Sequence, residues 1–147
     1  MTYLFDTNIV LHFLRVSQVA KHVETIFRPF DPPNESWVSI ISFGELRSLA
    51  KQNNWGSPRI EKLAILLDSL IPADIYAEDV FERYAEIDAF SQGKLLHLPS
   101  DFSARNMGKN DLWIAATASV LDARLLTTDA DFDHLDGVFL HVEKVPS

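Results

Sequence analysis

The sequence predicts an α/β fold in which a central parallel sheet is covered by helices on both faces. The order of the segments along the chain predicts it. Short apolar segments, typical of buried strands, alternate along the chain with longer amphipathic segments, typical of helices. Alternation of the two kinds of element is the pattern of α/β proteins, whose parallel strands are buried on both faces. In such sheets ligands bind beyond the carboxyl ends of the strands, which directs attention to the residues that follow each strand.

Length and composition limit the possible classes of protein. The chain has 147 residues, of which 47% are hydrophobic and 23% are charged, so we expect a single domain spanning residues 1–147. The absence of cysteine excludes disulfides and thiolate metal sites. No apolar run reaches the roughly 18 residues of a membrane helix, and the first residues do not resemble a secretory signal. We therefore expect a cytoplasmic protein without membrane contact.

The first half of the chain is predicted to contain two strands and four helices. Ser42 resembles an N-cap with Glu45 three residues on, which is a capping-box pattern, and Pro58 is typical of a first helical turn. The predicted elements are a strand at Tyr3–Phe5, a helix with the apolar stripe Ile9, Val10, Phe13 and Leu14, a helix at Val19–Phe27, a turn at Asp31–Asn34, a strand at Trp37–Ile40, a helix from Ser42 to about Gln52, and a helix from Pro58 towards Leu70.

The second half is predicted to contain two helices and two strands. Asn110 is expected to cap the second of these helices. The predicted elements are a helix at Asp79–Phe90, a loop that contains Leu98–Asp101 and ends near Gly108, a helix at Asp111–Leu121, a strand at Arg124–Thr127 and a last strand at Val138–Val142.

Four acidic residues are placed where such a sheet forms its binding site. Asp6 follows the first strand, and Asp129 follows the strand at Arg124–Thr127, so both are expected at the carboxyl edge. On the predicted helices, Glu45 shares a face with Ile41 and Leu49, and Asp111 lies on the apolar face of its own helix. A charge that faces the core is costly unless it is paired, hydrogen-bonded or bound to a metal.

Each acid also has a purely structural explanation. Asp6 fits a helix cap, Glu45 the acid of a capping box, Asp111 a first-turn acid that the helix dipole favours, and Asp129 a turn residue. Their joint occurrence favours a site for a hard divalent cation, Mg²⁺ or Mn²⁺, with oxygen ligands only. Such sites typically act on phosphates.

Four motifs resemble those of one known family, in the same order and with similar spacing over nearly the whole chain. They are Leu4–Asn8, Ser42–Leu46, Asn110–Ala116 and Leu126–Phe132. On these motifs the chain resembles the PIN-domain ribonucleases, and among them the toxins of VapBC-type toxin–antitoxin pairs.

The resemblance implies an α/β/α sandwich, a homodimer, and metal-dependent cleavage of RNA. It also implies a partner antitoxin whose tail blocks the active-site groove. The metal-binding positions of the family correspond to Asp6, Glu45, Asp111 and Asp129, with Asp131 as a nearby substitute for the last. Asn8 and Thr128 correspond to polar positions that help to arrange the site.

We hypothesise that Asp6 and Asp111 hold the principal ion, and that Glu45 and Asp129 orient the attacking water or help to hold a second ion. Water would displace the 3′ oxygen in line and leave a 5′ phosphate. The sequence does not decide between one metal and two. Transfer RNA is the favoured substrate, and ribosomal RNA is the next.

The acidic pattern near the end of the chain also resembles those of two other families. Asp129 and Asp131 resemble the DxD of haloacid-dehalogenase phosphatases, but too few residues follow for the later motifs of that family. An EF-hand fails because His134 stands where the loop needs glycine. Two alternatives remain: a PIN nuclease of RNA processing without a toxin role, and a PIN-like module that binds RNA or protein without cutting.

Charge is the least typical property for a protein that binds RNA. The net charge is −8, whereas nucleic-acid binders are usually basic. A bound cation would neutralise part of an acidic site. Arg47 and Lys109 lie near two of the acids in sequence, but a solvated surface role explains them more simply.

Overall fold

The fold is built on one five-stranded, all-parallel sheet. The computed structural model describes residues 1–147. Its strands are β1 (Thr2–Phe5), β2 (Glu35–Ser39), β3 (Ile71–Ala73), β4 (Arg124–Thr127) and β5 (His141–Lys144). They lie in the order β3-β2-β1-β4-β5. The predicted parallel sheet is therefore confirmed.

Six α-helices and a short 3₁₀ helix connect the strands. The α-helices are α1 (Thr7–Arg15), α2 (Gln18–Phe27), α3 (Ile40–Gln52), α4 (Ser57–Asp68), α5 (Glu78–Ser91) and α6 (Lys109–Leu121), and the 3₁₀ helix is Ala130–Leu135. None of the helices combines the length and the apolar character needed to cross a membrane.

The strand order places a topological switch point beside the central strand. The chain moves from β1 to β2 and β3 on one side, then returns to β4 and β5 on the other. In the register of the central pair, Phe5 lies opposite Leu126, one residue before Asp6 and one before Thr127. Ligands of open α/β sheets bind at such a point, outside the carboxyl ends of the strands.

The core has two parts, one on each face of the sheet. Successive residues of a strand point to opposite faces. Leu4 and Leu125 pack into a cluster with the buried residues of α5 and α6. Their neighbours Phe5 and Leu126 pack into a second cluster with α1, α3 and α4. The sheet is therefore covered on both faces, which confirms the expected α/β/α sandwich.

The predicted capping box at Ser42 is wrong. The N-cap of α3 is Ser39, whose hydroxyl accepts a hydrogen bond from the backbone N–H of Ile41 at 3.1 Å. The helix therefore begins at Ile40, which the sequence had placed in the preceding strand. Ser42 lies inside the helix and is fully buried. The misplacement arises because both serines have the chemistry of an N-cap, and only the end of the strand decides between them.

Three further boundaries differ from the predictions. Helix α6 begins at Lys109 with Gly108 as its N-cap, so Asn110 is not the cap. Strand β3 was missed, and the helix expected to continue towards Leu70 ends at Asp68. The last strand begins at His141 because the preceding residues form a turn, in which Gly137 donates to the carbonyl of Leu140. Short edge strands such as β3 carry little periodic signal.

Substitution of Phe5 tests how much the core next to Asp6 contributes to the stability of the fold. Its ring is fully buried and lies 5.4 Å from Phe13 and 5.8 Å from Phe30, centroid to centroid. We expect Phe5→Ala to lower the free energy of unfolding by about 3–5 kcal/mol, because it removes buried apolar surface and leaves a cavity. Urea unfolding followed by circular dichroism measures this change. The control is Phe30→Ala, because the Phe30 side chain is 36% exposed and its loss should cost less than half as much. Equal costs would contradict the central position of Phe5.

Candidate active site

Asp6 is held rigidly between the two central strands. Its backbone N–H donates to the carbonyl of Leu126 at 3.0 Å, which continues the pairing of β1 with β4. Its Oδ1 accepts from the N–H of Thr7 at 2.8 Å, and its Oδ2 accepts from the hydroxyl of Thr127 at 2.7 Å. The side chain is only 5% exposed. Asp6 is thus the N-cap of α1, which is the purely structural role considered for it from the sequence. It also lies at the carboxyl edge of the sheet.

Glu45 is positioned by a chain of hydroxyl groups. Thr7 Oγ1 donates to Glu45 Oε1 at 2.7 Å and lies 2.7 Å from Ser42 Oγ. Because Thr7 has one hydroxyl hydrogen and gives it to the carboxylate, Ser42 donates to Thr7. Ser42 and Thr7 are both buried, whereas Glu45 is half-buried. The apolar-face argument for Glu45 is therefore only partly right, since this face of α3 lies at the rim of the core.

Three aspartates converge on the other side of the switch point. Carboxylate oxygens of Asp111, Asp129 and Asp131 lie within 4.8 Å of one another. Asp129 caps the 3₁₀ helix by accepting from the N–H of Asp131 at 2.9 Å. Its own N–H donates to Thr127 Oγ1 at 3.0 Å. The hydroxyl of Thr127 therefore links Asp129 to Asp6.

The electrostatics of the cluster are unfavourable without a counterion. The pKa of Asp6 is raised to about 6. Burial is the main cause, the hydrogen bonds from Thr127 and Thr7 oppose it, and the charges of Glu45 and Asp129 add to it. The pKa of Asp111 rises to about 7. Burial is the main cause, and the charge of Asp6 is the next.

No basic side chain compensates these acids. The four ion pairs of the structure involve other carboxylates. Aspartate and glutamate oxygens are the donors that Mg²⁺ and Mn²⁺ prefer, and a divalent cation would remove the repulsion that raises both pKa values. The residues present therefore fit such an ion.

Asn8 and Thr128 were expected from the sequence to support the site, and they differ in their hydrogen bonding. The side-chain oxygen of Asn8 is buried and has no hydrogen-bond partner, so it is available to a water or an ion near the start of α1. Thr128 is half-buried, and the hydroxyl that holds Asp6 belongs to its neighbour Thr127.

Sequence reasoning missed three hydroxyl residues of this site, Thr7, Ser42 and Thr127. Each is buried and hydrogen-bonded to an acid or to a residue that holds one. The available signal was their position: Thr127 ends β4, Thr7 begins the helix that follows β1, and Ser42 is one helical turn before Glu45. A polar residue at a buried position needs a hydrogen-bond partner, and here the partners are the acids.

The raised pKa of Asp111 predicts how the metal-free protein responds to pH. Between its ordinary pKa of 3.8 and about 7, this carboxyl is ionised in the unfolded chain and protonated in the folded one, so rising pH favours unfolding. In EDTA, Asp111→Asn should therefore stabilise the protein increasingly as pH rises from about 4 to 8. Because Asp111 is half-exposed and screened, we expect a gain of roughly 1 kcal/mol, or about 2–4 °C in melting temperature.

Thermal melts with and without divalent cation check this prediction. Addition of Mn²⁺ at high pH should raise the melting temperature of the wild type and have little effect on Asp111→Asn. The control is Asp101→Asn, which changes an exposed loop acid outside the cluster. A melting temperature that falls in Asp111→Asn at both ends of the pH range would show that Asp111 is not repelled by its neighbours.

Solved structures of known proteins share this fold along nearly their whole length. The VapBC2 complex from Rickettsia felis, bound to a DNA fragment from its promoter, matches at 22% identity, with 99% of each chain covered and a TM-score of 0.77. VapBC-1 from nontypeable Haemophilus influenzae matches at 23% identity, 98% coverage of each chain and a TM-score of 0.73. VapBC-5 from Mycobacterium tuberculosis, a member of the VapBC family of toxin–antitoxin systems, matches at 20% identity, 99% coverage of this chain and 98% of the other, and a TM-score of 0.60. No curated protein sequence matches the chain.

The sequence itself matches a family model over most of its length. The model of the PIN domain covers residues 3–138. This span contains the five acids described above, which are Asp6, Glu45, Asp111, Asp129 and Asp131. The architecture described above is that of the matched solved structures. The resemblance to PIN domains noted in the sequence is thus confirmed, and the chain belongs to the PIN domain family.

Proposed function

We propose that this chain is a divalent-cation-dependent endoribonuclease and the toxin of a toxin–antitoxin pair. PIN domains are nucleases, so a hydrolase of phosphodiester bonds is the coarse assignment. One observation supports the dependence on a divalent cation. Four acids from separate parts of the sequence interact at one edge of the sheet without basic partners: Asp6, Glu45, Asp111 and Asp129. That arrangement is unfavourable unless a cation occupies it.

Asp6 and Asp111 are proposed as the principal ligands, because burial and the charges of neighbouring acids raise both of their pKa values. Asp129 and Asp131 offer further oxygens beside Asp111. When bound, Mg²⁺ or Mn²⁺ would supply a lowered pKa for the attacking water and would neutralise charge that develops at phosphorus and at the leaving oxygen.

Glu45 is proposed to orient the water that attacks the phosphate. Its Oε1 accepts from Thr7, and the hydrogen bonds of the structure leave Oε2 available. The donation from Ser42 to Thr7 keeps the Thr7 hydroxyl directed at the carboxylate. Thr127 acts similarly on Asp6, so two buried hydroxyl groups hold the two sides of the reaction centre in place.

Cleavage of labelled single-stranded RNA tests the enzymatic assignment. Purified protein should cut the RNA with Mg²⁺ or Mn²⁺, stop when EDTA removes the cation, and leave a 5′ phosphate on the product. Asp6→Asn should lower the rate by more than about 100-fold, beyond the roughly 10–100-fold typical of residues that only support metal ligands. Asp101→Asn, the exposed loop control, should cleave as fast as the wild type.

Two results would contradict this proposal. Equal cleavage by wild type and Asp6→Asn would identify a contaminating nuclease, and the chain would then be a module that binds without cutting. Products with a 5′ hydroxyl would show that the P–O5′ bond is broken, which would exclude attack by water on phosphorus with the 3′ oxygen as leaving group. Transfer RNA is the favoured natural substrate, with ribosomal RNA next.

The proposed antitoxin partner is supported by the matched VapBC complexes and by a surface groove of about 580 Å³. The groove lies between α3 and α4. Its apolar lining includes Trp55, Ile60 and Leu63, and Arg47 and Lys51 stand along its α3 side. Although the protein as a whole is acidic, the two cations beside this groove favour a partner segment that is apolar and carries carboxylates. A homodimer is also proposed, on the family resemblance.

Expression in bacterial cells tests the toxin role. The wild-type chain should arrest growth, Asp6→Asn should not, and the protein encoded by the adjacent gene should restore growth when it is co-expressed. Ile60→Glu should weaken that rescue, because it places a charge in the apolar groove, while RNA cleavage in vitro stays unchanged. Harmless expression of a chain that cleaves RNA in vitro would instead indicate an RNA-processing nuclease.

A further inference from the structure

A second groove, of about 610 Å³, opens directly beside the acid cluster. It runs along α3 from Ile40 to Gln52, and Asn110 at the start of α6 closes its other side. Its volume lies in the range, roughly 300–1,000 Å³, of pockets that accept small ligands. Because Glu45 belongs both to this groove and to the proposed catalytic centre, a substrate bound at the centre continues into the groove.

The lining of the groove fits a nucleobase better than a phosphate. Apart from Glu45 it contains no charged residue, and the α3 cations Arg47 and Lys51 line the other groove instead. Ile40 and Ile41 form an apolar surface, with the Ile40 side chain 37% exposed. A flat aromatic base can cover such a surface, whereas an unneutralised phosphate would be repelled by Glu45.

The groove offers both hydrogen-bond donors and hydrogen-bond acceptors. Gln52 Nε2 donates to Ser48 Oγ at 2.8 Å. This bond leaves the Gln52 carbonyl oxygen free to accept and the Ser48 hydroxyl hydrogen free to donate. Asn110 adds an exposed side-chain amide. The edges of nucleobases also combine donors and acceptors, and unpaired bases are read along those edges.

Gly44 gives independent evidence that the groove must stay open. It lies inside α3, where glycine is less favourable than alanine. No heavy atom lies within 4 Å of the position that a Cβ would occupy, and the backbone does not have a positive φ. Neither packing nor backbone geometry therefore requires glycine here. A side chain would instead enter the groove from its floor, next to Glu45.

We propose that this groove binds the base of an unpaired nucleotide adjacent to the scissile phosphate, and that Ser48, Gln52 and Asn110 determine which base is preferred. This inference rests on the proposed ribonuclease function. The base lies on Ile40 and Ile41, its edge meets the side chains of Ser48 and Gln52, and the absent side chain of Gly44 leaves room for the base in the groove.

A randomised single-stranded RNA library, cut in Mn²⁺ and sequenced at the product ends, tests the specificity. The wild type should show a base preference at one position beside the cut. Gln52→Leu, which keeps the volume but removes the amide, should reduce that preference at least several-fold and leave the Mn²⁺-induced rise in melting temperature unchanged. The control is Gln18→Leu, an exposed glutamine that lines a separate depression on α2.

Blocking the groove tests its occupancy. Gly44→Leu should raise KM for an RNA selected from the library at least about tenfold, the loss expected when a stacked base is displaced, with a smaller change in kcat. Gly44→Ala should raise the melting temperature. The control, Ala64→Leu, places the same leucine side chain in the other groove and should leave KM unchanged.

The outcomes separate this inference from the proposed function. A wild type that cuts RNA, with a base preference that Gln52→Leu does not alter, would overturn the inference and leave the nuclease assignment intact. An unchanged KM in Gly44→Leu would do the same. A wild type that cuts no RNA with either cation would overturn both.

Discussion

The mutual repulsion of carboxylates at the carboxyl edge of the sheet is the constraint on which this molecule depends. Asp6 is nearly inaccessible to solvent, and its oxygens are held by a backbone N–H and by the Thr127 hydroxyl rather than by a basic side chain. Neutral donors orient a carboxylate without cancelling its charge, and burial therefore raises its pKa. The fold around Asp6 holds together because apolar residues of the central strands pack on both faces of the sheet.

The use of hydroxyl groups instead of lysine or arginine has a functional consequence. A basic partner would satisfy Asp6 and Glu45 permanently and would compete with any cation for them. Thr7 contacts both acids, through its backbone N–H and its hydroxyl respectively, and so couples the first turn of α1 to α3. The acids are fixed in position, yet their charge remains available. This combination suits a site that binds a metal ion and keeps its geometry while substrate enters and leaves.

Helix α3 has a different role on each of its faces. Ser42 and Leu46 face the core, where Ser42 supports Thr7 and Leu46 packs with the cluster of β1 and β2. The face that carries Glu45 borders the groove proposed for a nucleobase, and the face that carries Arg47 borders the apolar groove proposed for a partner protein. A helical repeat of 3.6 residues places these three functions within a few residues of sequence. One helix therefore contributes to both the proposed substrate surface and the proposed partner surface.

The sequence by itself determined the alternation of strands and helices, the parallel sheet, and the placement of Asp6 at the end of a strand, because hydrophobic periodicity and residue order are local properties. It did not determine which serine caps α3, since Ser39 and Ser42 have the same side-chain chemistry. It also missed the donation from Thr127 to Asp6, which exists only because β1 pairs with β4, two strands that are far apart in the chain. Tertiary structure decided which polar side chains hold the acids, because hydrogen bonds between distant segments depend on strand register and helix packing, and neither leaves a periodic trace in the sequence.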